Sequence, residues 1–137
     1  EIGLATRTAH PILVRDERSV AVAVIEATRV AEAAGLSMVA SHQLATVASE
    51  LARNILKYAR HGRIELEIIE RKGRKGVQLV SSDRGPGIED VEQALTDHFS
   101  TGGTLGLGLS GARRMMDEFI VTSEPGAGTR VEVVKWS

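Results

Sequence analysis

Hydrophobic and polar positions alternate along this chain in blocks whose periods identify the elements. Residues 11–14 form an apolar run short enough for a first strand, and Asp16 then offers an N-cap for a helix over residues 17–34, with Gly35 placed to end it. Val20, Val24, Ala27, Val30, Ala31 and Ala34 recur at steps of three and four, predicting one buried stripe, and their small size predicts close helix packing. From Ser41 the same period returns through Leu44, Val47, Ala48, Leu51, Ile55, Tyr58 and Ala59, a second helix closed by Gly62. Ile64, Leu66 and Ile68 then alternate with Glu65 and Glu67, the period-two signature of a half-buried strand. A polar turn over residues 71–76 and a second apolar run through Val77 and Leu79 to Ser82 complete an antiparallel hairpin.

Beyond Asp83 the sequence Arg-Gly-Pro-Gly-Ile breaks regular structure. A short helix is expected over residues 89–94, a polar loop over 97–105, and a third helix over 107–118 with Leu109, Ala112, Met116 and Phe119 inward. Two further strands, residues 120–123 and 130–136, flank the turn Pro125-Gly-Ala-Gly128. Hairpins on each side of helical segments predict an α+β fold, a two-layer sandwich with a mostly antiparallel sheet and helices on one face, in one domain spanning residues 1–137.

Composition narrows what such a domain can do. A chain of 137 residues buries roughly 68% of its unfolded surface and needs no covalent staple, and the absence of cysteine removes disulfides, redox pairs and thiolate zinc sites. A net charge of -1 with only one Trp, one Tyr and two Phe argues against nucleic-acid binding, and the basic cluster Arg71, Lys72, Arg74 and Lys75 reads as a solvated hairpin tip. No apolar run approaches the ~18 residues of a membrane span, so no membrane partner and a cytoplasmic location are expected. Glycine is the outlier. Its 14 copies are about a tenth of the chain against ~7% on average, and seven of them fall at 85, 87, 102, 103, 106, 108 and 111.

Three groups of residues carry possible chemistry. Glu50 and Asn54 stand four apart on the second helix, so they share a side one turn apart. An acid with an amide beside it can supply a base and one oxygen ligand for Mg2+, a cation that prefers few protein oxygens plus phosphates and water, although an exposed i,i+4 pair is common in its own right. Asp83 follows a strand, ahead of Gly85 and Gly87, where a carboxylate can accept from an exocyclic amine while the glycines bring backbone close to a flat ring. The third group is Gly102-Gly-Thr-Leu-Gly106-Leu-Gly108-Leu-Ser-Gly111. It matches G-x-G-x-x-G, but a dinucleotide fold needs a buried strand before the first glycine, and the residues there are His98-Phe-Ser-Thr-Gly-Gly-Thr. What remains is a run of open amides at a helix start, with Gly106 and Gly108 suited to phosphate.

In this order the three groups resemble the N box and the two glycine boxes of the GHKL (Bergerat-fold) superfamily, which includes gyrase, Hsp90 chaperones, histidine kinases and anti-sigma serine kinases. Ser49-Glu-Leu-Ala-Arg-Asn54, Asp83-Arg-Gly-Pro-Gly-Ile88, Phe99-Ser-Thr-Gly-Gly103 and Met116-Asp-Glu-Phe119 are most similar to the RsbT-type serine/threonine kinases of bacterial stressosomes, a resemblance that spans residues 41–136. It implies Glu50 as general base, Asn54 as ligand of the Mg2+ bridging the ATP phosphates, and Asp83 as acceptor of the adenine amine with Thr129 nearby through solvent. Gly85 and Gly87 would shape the base pocket. Ser100, Thr101, Gly103, Thr104, Gly106 and Gly108 would form the lid and phosphate cradle. The lid contains no lysine, leaving Arg53 as either a charge for the γ-phosphate or an ordinary surface arginine. The implied partners are STAS-domain antagonists as substrates and, after release, a PP2C-type phosphatase. An anti-sigma factor that sequesters a sigma subunit directly, and a domain that binds nucleotide without chemistry, are the alternatives.

Overall fold

The computed structural model describes residues 11–86 and 108–137. The element order is β1 (Ile12–Val14), α1 (Glu17–Ala33), α2 (Met38–Tyr58), β2 (Gly62–Arg71), β3 (Arg74–Asp83), α3 (Leu109–Met115), β4 (Glu118–Glu124) and β5 (Gly128–Trp136). The strands make one sheet in the order β1-β2-β3-β5-β4, and every neighbouring pair is antiparallel. Ile64, Leu66, Val77, Leu79, Val131 and Val133 share the sheet face that meets the buried sides of α1 and α2, so the expected two-layer α+β sandwich is the observed one. Among the described residues no helix is long and apolar enough to cross a membrane.

Local chemistry sets the helix ends. The Asp16 carboxylate accepts from the Ser19 backbone N–H and hydroxyl, both at 3.0 Å, and these bonds hold its pKa below the ordinary carboxylate value. At the other end Gly35 turns left-handed at φ +81°, its N–H donating to Glu32 O while the Leu36 N–H donates to Ala31 O, the two bonds of a Schellman closure. Inside α1 the buried stripe runs through Ala23 in place of Val24, which is half-buried. With Ala27, Ala31, Ala48 and Ala52 also buried, small side chains let α1 and α2 approach closely.

α2 begins earlier than its apolar period predicts, at Met38 instead of Ser41. Ser37 is the cap, its hydroxyl accepting from the Ala40 N–H at 3.1 Å. Met38 and Val39 lie in the first turn but outside the core, 87% and 68% exposed, so the first turn carries no periodic signal. Ser37→Ala is expected to cost about 1 kcal/mol of stability, read from denaturant midpoints, and Ser37→Asp to restore it.

The β2–β3 turn is also tighter than expected. Arg71 pairs with Arg74, leaving the two-residue loop Lys72-Gly73 at φ +52° and +80°, as a type I′ turn requires. Two cations of this tip have structural work: Arg71 bonds Glu118 at 2.8 Å and Arg74 donates twice to the Ser137 carbonyl. Both stand over the Trp136 ring, which lies against Gly76. α3 is shorter than the expected 107–118, because Met116 is already extended and Glu118 enters β4.

Candidate functional site

The candidate site lies where the C-terminal half of α2 meets the end of β3. Two glycines permit that approach. A Cβ on Gly62 would fall 2.8 Å from Ile55 Cγ2 and 2.6 Å from Ser82 O, and one on Gly85 would fall 2.6 Å from Ala59 Cβ. The chain after β3 is thereby pressed against the last turn of α2. Asn54 and Glu50 lie five and nine residues before Ala59, hence about 7 and 13 Å up the helix axis from that contact. Both are half-buried, at the margin of the stripe formed by Leu44, Val47, Leu51 and Ile55.

Asp83 is fixed by backbone. Its Oδ1 accepts from the Gly85 N–H at 2.8 Å and from the Thr129 N–H at 3.3 Å, across the Asp83–Thr129 register pair. No hydrogen bond to Oδ2 is found among the described residues, so a half-buried carboxylate, locked through one oxygen, keeps the other for an incoming N–H donor. An adenine amino group is such a donor. The Thr129 hydroxyl lies 3.1 Å from Ser123 Oγ, which itself donates to the Gly128 carbonyl. Thr129 therefore reaches Asp83 through its backbone N–H.

Gly108 is the N-cap of α3, with no side-chain cap bond and open space where a Cβ would project. Gly87, Ser100, Thr101, Gly103, Thr104 and Gly106, with the expected helix at 89–94 and the loop at 97–105, lie outside the described residues. Among the described residues no group of three or more His, Cys, Asp or Glu could hold a metal ion. The donor set instead offers one amide oxygen, Asn54, next to one carboxylate, which suits an ion whose other ligands are phosphates and water.

Two residues were missed by sequence reasoning. Tyr58, read as part of the buried stripe, is 50% exposed. It follows Asn54 by one helical turn and carries the Lys57 ammonium 5.2 Å from its ring centroid, so it offers an aromatic surface beside the site. Its i+4 spacing from Asn54 was the available signal. Ser123, behind Thr129, had none, because its role depends on the β4–β5 register.

Residues 40–136 match the family described as histidine kinase-, DNA gyrase B-, and HSP90-like ATPase. The serine/threonine-protein kinase RsbT of Bacillus subtilis is 44% identical over 107 residues, covering 78% of this chain and 80% of that protein. The anti-sigma F factor of Thermoanaerobacter pseudethanolicus is 32% identical over 96 residues, 66% of each chain. Among solved structures, the mycobacterial sensor histidine kinase MprB superposes with a TM-score of 0.54 at 21% identity, over 70% of this chain and 71% of that one, a likeness of fold.

Proposed function

The chain belongs to the histidine kinase-, DNA gyrase B-, and HSP90-like ATPase family, and from that premise we propose that it is a Mg-ATP-dependent serine/threonine protein kinase of the RsbT type. The observation that carries the reading is the half-locked Asp83 carboxylate at one end of α2 with Glu50 and Asn54 further along the same helix. Asp83 Oδ2 accepts from the adenine amine, and Gly85 keeps the backbone flat against the base. Tyr58 gives the base an aromatic edge. Asn54 would hold the magnesium ion, which when bound would neutralise phosphate charge. Glu50 takes the proton from the attacking protein hydroxyl. Phosphoryl transfer asks mainly for positioning and charge stabilisation, so this small set of groups suffices with the glycine-rich segment ahead of α3.

The proposed substrates are STAS-domain antagonists, and the proposed partner after release is a PP2C-type phosphatase, the reading supported by 44% identity to RsbT. Kinetic labelling with radioactive ATP tests it: phosphate should appear on a serine or threonine of a STAS-domain protein, and no transfer to any such protein overturns it. The likeness to anti-sigma F factors favours a second reading, direct capture of a sigma subunit, which co-purification with a sigma factor and with no phosphatase would establish. Asp83→Asn turns an amide donor toward the adenine amine or gives up a backbone bond. Nucleotide affinity is expected to fall roughly tenfold to a hundredfold, read by titration calorimetry with ADP.

A further inference from the structure

Among the described residues three polar side chains are buried, those of Ser19, Ser81 and Ser110. Ser19 is accounted for, since its hydroxyl donates to Asp16 and accepts from the Arg15 N–H. Ser110 lies in the first turn of α3, next to residues outside the described set. Ser81 differs from both, because it stands on the central strand of the sheet with its strand neighbours all described. It pairs with Ile64 on one side and Val131 on the other, both core residues, so its side chain shares their inner face of the sheet. Leu79, two residues before it, belongs to the same core.

Packing alone does not call for a serine there. A hydroxyl buried without a partner is unfavourable, and alanine or valine would fill the place without that penalty. The Ser81 hydroxyl makes no hydrogen bond among the described residues. Yet among those residues no side-chain oxygen or nitrogen sealed from solvent lacks a partner, so this hydroxyl is not sealed. Ser81 keeps 4% of its surface exposed. Ile64, Val131 and Leu79 close three sides, and α2 lies above with Ile55 against Gly62. Asp83, two residues on and about 7 Å along the strand, is the polar fourth side. The hydroxyl therefore opens toward Asp83, whose Oδ2 is left for an incoming donor.

We infer that Ser81 is a specificity residue for the base: its hydroxyl donates, directly or across one water, to the ring nitrogen beside the amine that Asp83 accepts. The inference deepens the nucleotide reading and rests on it for the placing of adenine at Asp83. A carboxylate by itself accepts from any exocyclic amine. Adenine carries an acceptor nitrogen on each side of its amine-bearing carbon, N1 and N7, and a hydroxyl can donate to either. Carboxylate and hydroxyl together thus demand an amine with an acceptor next to it. Bound nucleotide also gives the Ser81 hydroxyl the partner that the fold withholds.

Calorimetric titration of the full chain and of Ser81→Ala with ADP, 1-deaza-ADP and 7-deaza-ADP tests this, alongside Tm measured without nucleotide. Ser81→Ala should lower ADP affinity about fivefold to tenfold while Tm stays the same or rises, an opposite movement that a packing role does not give. One of the two deaza nucleotides should bind the native chain more weakly by a similar factor and be indifferent to the substitution. That analogue identifies the nitrogen. Affinity and Tm falling together would make Ser81 a packing residue and overturn the inference. So would an equal loss for all three nucleotides, because the hydroxyl would then read neither nitrogen. ADP binding that Ser81→Ala leaves unchanged removes the inference alone, whereas a native chain that binds no ADP removes the nucleotide reading and the inference with it.

Discussion

Glu50→Ala is expected to lower the rate of phosphate transfer to a protein serine by about 10³-fold while nucleotide affinity changes by less than about twofold. The separation follows from position. Glu50 lies nine residues before Ala59, at the far end of the site from Asp83, and one turn beyond Asn54. With adenine assigned to Asp83 and the metal to Asn54 in the proposed mechanism, removing Glu50 leaves the groups proposed to hold nucleotide in place. It removes the group proposed to take the hydroxyl proton. Glu50→Gln is the sharper variant, because it keeps the volume of a half-buried side chain and changes only its ability to accept a proton. Single-turnover transfer at saturating ATP, with ADP titration alongside, checks both halves. A parallel fall in affinity and rate would make Glu50 a binding residue, and an unchanged rate would remove it from the mechanism.

The proposed roles of Glu50 and Asn54 were open to sequence reasoning because both residues lie on one regular helix, where spacing alone fixes which side chains are neighbours. The limits of α1 were readable for a similar reason: Asp16 and Gly35 carry their own capping chemistry, and the structure uses both. Where a residue departs from the core pattern, that reasoning loses its grip. Met38 and Val39 are apolar yet exposed, which hid the first turn of α2, and Tyr58 continued an apolar period that the core had already left. The turn at Lys72-Gly73 lacks the Asn-Gly pair that marks a type I′ hairpin, so a longer loop was expected. The bond from the Thr129 N–H to Asp83 joins residues 46 apart and exists only because β3 and β5 pair in one register. No local spacing encodes that register. It is set by which faces of the two strands must be buried together.

The same β3–β5 junction gives the second large expectation. Gly128→Ala should cost about 3 kcal/mol and weaken nucleotide binding with it, because left-handed strain and overpacking act together. Gly128 has φ +105°, and a Cβ there would overlap the Asp83 carbonyl oxygen and lie 2.9 Å from Arg84 Cα. Those neighbours are backbone, so no side chain can swing aside to make room. Relief requires the end of β3 to move away from β5, which breaks the pairing that brings the Thr129 N–H to Asp83 Oδ1 and turns the free carboxylate oxygen out of place. Gly126, in the same turn, separates the two causes. It has φ +82° but nothing within 4 Å of the point where a Cβ would project, and its N–H donates to the Pro86 carbonyl. Gly126→Ala should therefore carry the left-handed strain alone, about 1 kcal/mol, and leave nucleotide affinity intact. Chemical denaturation and ADP titration on the pair distinguish the outcomes. Equal losses at both positions would assign the requirement for glycine to turn conformation, whereas the larger loss at Gly128, accompanied by lost nucleotide, ties it to the close approach that holds Asp83.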